Sequence, residues 1–420
     1  MSDIKFLKVP YAQSVHGQAE IDAVVKVLKT STQMGKNVTK MEQHVAKMFS
    51  KKYGLMTNSG TSALMLAAEA ADMPEGSEII TAAFTFATTV TPILKNGLVP
   101  VFMDAEKDTL NIDASRIEEF ITDKTSAIWI PNMLGNIPDW DLIRQVADRH
   151  GLLVIEDSAD TLGATLRGSP TGDRTDVSIT SFYGSHIINC GGNGGWIGVN
   201  DQKMARKARL LRSWGRTSAE FTDIAESESL KKRFGIELNG IEYDAKFIFE
   251  YPGYQLEPSE MGAAFGLVQL SDFKTVKAKR IAAYKRMEKI FNKYNDFIRT
   301  AIPNPDGEVV WMHFPIIIND IAPFSRKDLQ TYFELRGIQT RPPFSGNILN
   351  QPMMKNQKFI ANDNYDNAND MMKNGVLLGC HQGLSKEQFE HIENVSSSFF
   401  TIITTNTTPS LTVLTFLNCC

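Results

Sequence analysis

The sequence predicts an α/β domain with a largely parallel sheet, followed by a smaller α+β domain. Two observations carry this. Short apolar segments at 78–81, 99–103, 127–131 and 152–156 alternate with helical stretches at 87–96, 114–122 and 139–150, the rhythm of a crossover-connected parallel sheet. Past Pro303 the pattern changes to a strand at 309–318, a helix at 326–336 and a last helix from Ser385. With 420 residues, the chain can hold both units and a sizeable core.

Taken in order, residues 1–35 read as an arm and a short helix, with Ile21, Val24, Val25 and Leu28 at helical spacing. The large domain is expected over 36–258. It opens with a helix that places Val38, Met41, Val45, Met48 and Phe49 on one face. A polar turn at Ser59-Gly60-Thr61 then runs straight into the helix-forming ALMLAAEAA. Free N–H groups at such a helix start suit a phosphate, and N-capping by Ser59 or Thr61 explains them equally well. A strand ending near Ser181 leads through a turn carrying His186 and through Gly191, Gly192, Gly194 and Gly195 into a strand at 196–199. A helix at 201–214 precedes an irregular, aromatic-rich connection at 215–257, too long to be a simple loop. One long helix at about 259–294 opens the small domain, expected over 259–400. The last twenty residues, 401–420, are threonine-rich and uncharged and do not match what precedes them.

Bulk properties exclude several classes. A net charge of -4 gives no electrostatic case for nucleic acid or an anionic membrane. No apolar run is long enough to span a bilayer, and MSDIKFLKVPYAQ lacks the basic-then-apolar pattern of a signal peptide. A cytoplasmic location is expected. Cys190, Cys380, Cys419 and Cys420 show neither disulfide nor metal spacing.

In parallel sheets ligands collect at the carboxyl ends of the strands. Phe86, Asp157, Ser181 and His186 each follow such an end, and the Ser59–Thr61 turn joins the same rim. A phosphate cradle, an aromatic to stack on a flat ring and an acid to hold a ring nitrogen protonated are what pyridoxal phosphate requires.

At this point the chain resembles the DegT/DnrJ/EryC1/StrS sugar aminotransferase family of fold-type-I pyridoxal phosphate enzymes. The resemblance rests on NSGTSAL (58–64), AFTFATT (83–89), VIEDSAD (154–160), SFYGSH (181–186), GYQLEPSEMGAAFGLVQL (253–270) and GIQTRPPFSGN (337–347), across residues 35 to 395. It implies a large domain around a seven-stranded, mostly parallel sheet, a small C-terminal domain, and a homodimer or larger assembly of such dimers whose sites borrow residues across the interface. Gln255 stands where the family has an asparagine that reaches the partner's phosphate group. Asp160 stands where many relatives have histidine, near the cofactor's 3-oxygen. Arg341 is a candidate for a glutamate carboxylate or nucleotide phosphate.

The departure is His186, where the aminotransferases carry the lysine that binds the cofactor covalently. No lysine lies between Lys124 and Lys203, and histidine forms no such bond. The cofactor, as pyridoxal or pyridoxamine phosphate, is therefore expected to be held non-covalently. A histidine here resembles the 3-dehydratases typified by GDP-4-keto-6-deoxymannose 3-dehydratase. That implies loss of the C3 hydroxyl from a GDP- or CDP-linked 4-keto-6-deoxyhexose, with His186 as base and L-glutamate as amino donor. The resemblance further implies a sugar of an O-antigen or capsule. A sister branch holds a [2Fe–2S] cluster, and the cysteine pattern here leads us to expect none. A sugar aminotransferase with a displaced or absent lysine and a non-catalytic sugar-nucleotide or cofactor sensor remain alternatives.

Overall fold

In a computed structural model, residues 6–221 and 228–405 are described. The centre is a seven-stranded sheet: β1 (Tyr53–Thr57), β2 (Glu78–Ala82), β3 (Val99–Met103), β4 (Thr125–Pro131), β5 (Leu153–Ser158), β6 (Val177–Ser181) and β7 (Gly195–Val199), in the order β1-β7-β6-β5-β4-β2-β3. Only β7 runs against its neighbours, β1 and β6. The other paired strands are parallel. Helices cover both faces, so the middle strands are buried throughout and read as continuous apolar runs such as Ala127–Pro131. The helices that matter below are α1 (Gln18–Leu28), α2 (Lys36–Met48), α3 (Gly60–Ala70), α4 (Ala87–Lys95), α5 (Trp140–His150) and α6 (Gln202–Arg212).

Past α6, α7 (Glu260–Ser271) and α8 (Phe273–Phe291) lead into a second sheet. Its strands are β8 (Ile298–Thr300), β9 (His313–Ile318), β10 (Thr340–Arg341) and β11 (Gly375–Gly379), antiparallel in the order β8-β9-β11-β10. The helices α9 (Arg326–Glu334) and α10 (Asp366–Asn374) pack on it, and α11 (Lys386–Thr405) packs on α8 and α9. One buried cluster runs from Phe102 and Trp140 through Phe291 to Phe314, Phe333 and Phe399. The N-terminal arm joins this second unit: Val9 N donates to Gly337 O and Gln339 N to Val9 O.

Four expectations need correction. The helix at 259–294 is two helices, interrupted at Asp272 (φ -104°, ψ 14°). The stretch 114–122 is a 3-10 turn, Ala114–Phe120, rather than an α-helix. The strand at 309–318 is shorter because Val310, Trp311 and Met312 turn their carbonyls to Thr161 and Arg280 instead of to a ladder. The sheet strand β1 was not foreseen at all. Of the uncharged segment 401–420, residues 401–405 close α11; the remainder, with Cys419 and Cys420, lies outside the described residues. No helix among the described residues is long and apolar enough to cross a membrane.

Candidate active site

A cavity of about 250 Å³ opens at the carboxyl ends of the parallel strands, as the sheet topology demands. Ser59, Gly60, Thr61, Phe86, Asp157, Asp160, Ser181 and His186, eight of the ten residues singled out from sequence, line it together. A larger, shallower groove of about 580 Å³ near Glu69, Lys95 and Tyr254 contains none of these groups.

One wall is the start of α3. Ser59 caps the helix, its Oγ accepting from Ser62 N at 3.1 Å, so the capping role is real. It leaves the Gly60 and Thr61 N–H groups, which have no acceptor within the helix, free for a ligand. Gly60 must be glycine because a Cβ there would lie 2.8 Å from Ser181 Cβ. That close approach brings the Ser181 hydroxyl, at the end of β6, beside the helix start. A Cβ on Gly195 would likewise strike Ser59 O at 2.2 Å.

Across the cavity, Phe86 stands at the start of α4 with its ring 50% exposed and edge-on to Phe344, centroids 5.6 Å apart. Asp157 closes the floor at the end of β5. Its Oδ2 accepts from Thr89 Oγ1 at 2.7 Å and its Oδ1 from Ala159 N at 3.1 Å. Asp160 Oδ2 accepts from Leu134 N at 3.0 Å. Burial raises both carboxyls: Asp157 to about 6, and Asp160, which also feels the charge of Asp157, to about 8. At neutral pH the charge therefore sits on Asp157 and the proton on Asp160.

His186 occupies the turn between β6 and β7. Its backbone N donates to Tyr183 O at 2.9 Å, and the Tyr183 ring stands edge-on to the imidazole with centroids 5.8 Å apart. Its Nδ1 is buried without a hydrogen-bond partner. Burial, and then the charge of Arg280, pull the imidazole down to about 4, so it is neutral over the physiological range. Among the described residues lining the cavity there is no lysine.

Two predicted residues stand apart. Gln255 is exposed, in a bridge to Ser213. Arg341 is exposed on β10, with its guanidinium 5.4 Å from the centre of the Tyr11 ring and 3.7 Å from Glu334 Oε1. Neither lines this chain's cavity. Thr89, Tyr183, Asn193, Met312 and Phe344 do line it and were not singled out. Thr89, Tyr183 and Phe344 fall inside the motifs AFTFATT, SFYGSH and GIQTRPPFSGN.

The chain matches the DegT/DnrJ/EryC1/StrS aminotransferase family over residues 15–396. It is 30% identical over 403 residues, 93% of this chain and 92% of the relative, to the lipopolysaccharide biosynthesis protein RfbH of Salmonella typhimurium. Over 375 residues, 87% of this chain and 80% of the relative, it is 31% identical to dTDP-4-dehydro-2,6-dideoxy-D-glucose 3-dehydratase of Saccharopolyspora spinosa. The solved structure of the E. coli GDP-4-keto-6-deoxy-D-mannose 3-dehydratase with bound hydrated PLP superposes with a TM-score of 0.82 at 28% identity. That match covers 93% of this chain and 100% of the other. The fold is thus that of the PLP-dependent aminotransferases, as the motifs implied. With that fold, and a match over nearly its whole length, the chain belongs to the DegT/DnrJ/EryC1/StrS aminotransferase family.

Proposed function

We propose that this protein is a pyridoxal/pyridoxamine phosphate-dependent 3-dehydratase. It removes the C3 hydroxyl of a nucleotide-linked 4-keto-6-deoxyhexose to leave a 3-deoxy-4-keto sugar, with L-glutamate restoring the amine form of the cofactor. The observation that carries this is a buried, neutral histidine, and no lysine among the described residues, on the wall of a cavity otherwise suited to the cofactor. The balance is closed: glutamate is oxidised to 2-oxoglutarate and releases ammonia, and its two electrons appear in the new C3–H bond.

The residues present fit the cofactor. The Gly60 and Thr61 N–H groups with the Ser59 and Ser181 hydroxyls would hold its phosphate, and the half-exposed Phe86 ring its flat face. Asp157, charged at neutral pH, would keep the ring nitrogen protonated, and Asp160 as a neutral acid can donate a hydrogen bond to the 3-oxygen. When bound, the cofactor supplies an amine for the sugar's C4 ketone and a sink for electrons. His186 supplies the proton movement: as a neutral imidazole it takes the cofactor's C4′ proton and returns one to the departing 3-hydroxyl.

Relatives named for GDP- and dTDP-linked sugars support a nucleotide-linked substrate, so dTDP joins GDP and CDP as a carrier to test. The name of RfbH supports a lipopolysaccharide sugar. A homodimer is supported by the exposed Trp214, Phe234, Ile241, Tyr243, Phe247 and Phe249, in the same connection that ends at the exposed Gln255. That placement suits Gln255 to a partner's phosphate site rather than to its own. Arg341, outside the cavity, is retained as a candidate for the nucleotide or glutamate. The division into a large domain over 36–258 and a small one over 259–400 is likewise a proposal.

Incubation with cofactor, L-glutamate and GDP-, CDP- or dTDP-linked 4-keto-6-deoxyhexoses tests the reading. A product one oxygen short of the substrate is expected; an amino sugar would identify an aminotransferase instead. Borohydride treatment of the protein with pyridoxal phosphate should leave no phosphopyridoxyl-lysine in a peptide map, because no lysine among the described residues lines the cavity. Phe86→Ala should weaken cofactor binding roughly tenfold with the chemistry retained, the loss of one aromatic contact being worth about 0.5–1.5 kcal/mol.

A further inference from the structure

Arg280 is the least expected side chain beside His186. It sits on the buried face of α8 with 0% exposure, and its guanidinium meets only backbone oxygens. Nη1 donates to Trp311 O at 3.1 Å, Cys380 O at 3.2 Å and Met312 O at 3.3 Å, and Nη2 to His186 O at 3.3 Å. Nε has no partner. No carboxylate among the described residues forms an ion pair with it. Carbonyls offer only partial charges, so much of this buried unit charge is left to act on its neighbours.

Those neighbours are three imidazoles. His381 Nδ1 accepts from Gly383 N at 3.3 Å and its Nε2 faces Pro10 O at 3.2 Å, a pair of bonds that fits one neutral tautomer. His313, on β9, is buried with Nδ1 unpartnered. Burial, helped by Arg280, pulls His186 and His381 down to about 4 and His313 well below its ordinary value.

We infer that Arg280 is a positioning residue for His186, clamping its turn to the ends of β9 and β11 and setting an uncompensated positive charge against the imidazole. The inference rests on reading His186 as the base. The turn runs through Gly191, Gly192 and Gly194, and Arg280 Nη2 and Gln382 Nε2, donating to His186 O and Ile187 O at 3.3 Å each, tie it to the second unit. The charge has a second use. Asp157 and Asp160 line the same cavity, but the charge that acts on His186 is that of Arg280, which opposes protonation of the imidazole. The Cys380 thiol, pushed up to about 12 by burial, stays neutral, and Tyr183 contributes only its ring. Arg280 therefore adds to burial in disfavouring the protonated imidazole and leaves the histidine free to accept a proton.

The test uses the cofactor-free full-length protein with isotope-labelled histidine, followed by NMR from pH 3.5 to 8, with His186→Asn to identify the His186 resonance. In the unmodified protein His186 should titrate below about 5. In Arg280→Gln its midpoint should rise so that proton affinity increases at least tenfold. Arg280→Lys keeps the charge and loses the planar fork, so its midpoint should stay low while dehydration slows at least tenfold. A midpoint near the reference ~6.5 in the unmodified protein overturns the inference even if Arg280→Gln does not fold. An unchanged midpoint in Arg280→Gln, or full activity in Arg280→Lys, overturns it as well. The titration needs no turnover, so it stands or falls separately from the role of His186 in catalysis.

Discussion

Asp157→Ala is expected to abolish both half-reactions and to weaken binding of pyridoxal phosphate. Asp157 is the one acid on the cavity floor that remains charged at neutral pH, its partner Asp160 holding the proton. Losing a preorganised charge of this kind costs about 10²–10³-fold in rate, and here each half-reaction depends on the same protonated ring. The pH dependence follows from the direction of the shift. Burial raises the Asp157 carboxyl to about 6, so acidification through that value neutralises it, and cofactor affinity should fall as pH drops from 7 to 5. The cofactor's phosphate loses charge in a similar window, a phosphate monoester having a second pKa of about 6. Asp157→Asn separates the two effects. It keeps an acceptor for Thr89 and removes the charge, so whatever pH step survives in that variant belongs to the phosphate. Fluorescence titration of pyridoxal phosphate into both proteins reads this directly. An affinity that is equal in wild type and Asp157→Asn at pH 7.5 would mean that another carboxylate pairs with the ring.

The parts of the molecule legible in the sequence were those where a local pattern and a local structure coincide. Strands β2 to β5 are short apolar runs between helices, and their register follows from being buried on both faces. The rim residues could be found because strand ends are where parallel sheets bind ligands. Other features depend on contacts far away in the chain. β1 contains Gly54, a weak strand former, and exists because β7 pairs with it and Trp196 Nε1 fills the space a Cβ would need, at 2.6 Å. Thr89 matters only through the Asp157 oxygen it meets from another strand's end.

Arg280 is the instructive case. Among the many basic residues of α8 it reads as one more solvated charge, yet it stands four residues after Val276 and three before Ala283, both on the buried stripe. A charged residue on the apolar stripe was the available signal. Its partners, being backbone carbonyls, left no trace in the sequence. Gln255 and Arg341 illustrate the converse. Motif position singled them out, and the single chain places both outside the cavity, where only a partner or a substrate would give them work.

His186→Asn is expected to keep the cofactor and lose dehydration by roughly 10²–10⁴-fold, the usual contribution of a positioned acid–base group. Asparagine retains polarity and approximate size but cannot take up a proton. The pH profile sharpens the assignment. With the imidazole pulled down to about 4, its neutral form persists throughout the working range. The His186 contribution to the dehydration rate should therefore stay flat from pH 8 to about 5 and fall only as pH drops through about 4. A limb near the reference value of ~6.5 would show that substrate and cofactor reverse the burial effect. A wild-type rate in His186→Asn would place the base elsewhere. Lysine at the same position completes the argument. The burial and the Arg280 charge that keep His186 neutral would act on a lysine ammonium in the same direction, favouring the free amine that attacks a carbonyl. In His186→Lys, borohydride should now fix pyridoxal phosphate to residue 186, readable as an added mass on its peptide, while dehydration is lost. If no label is fixed in a folded variant, the turn does not deliver its side chain to the cofactor, and the role proposed for His186 fails with it.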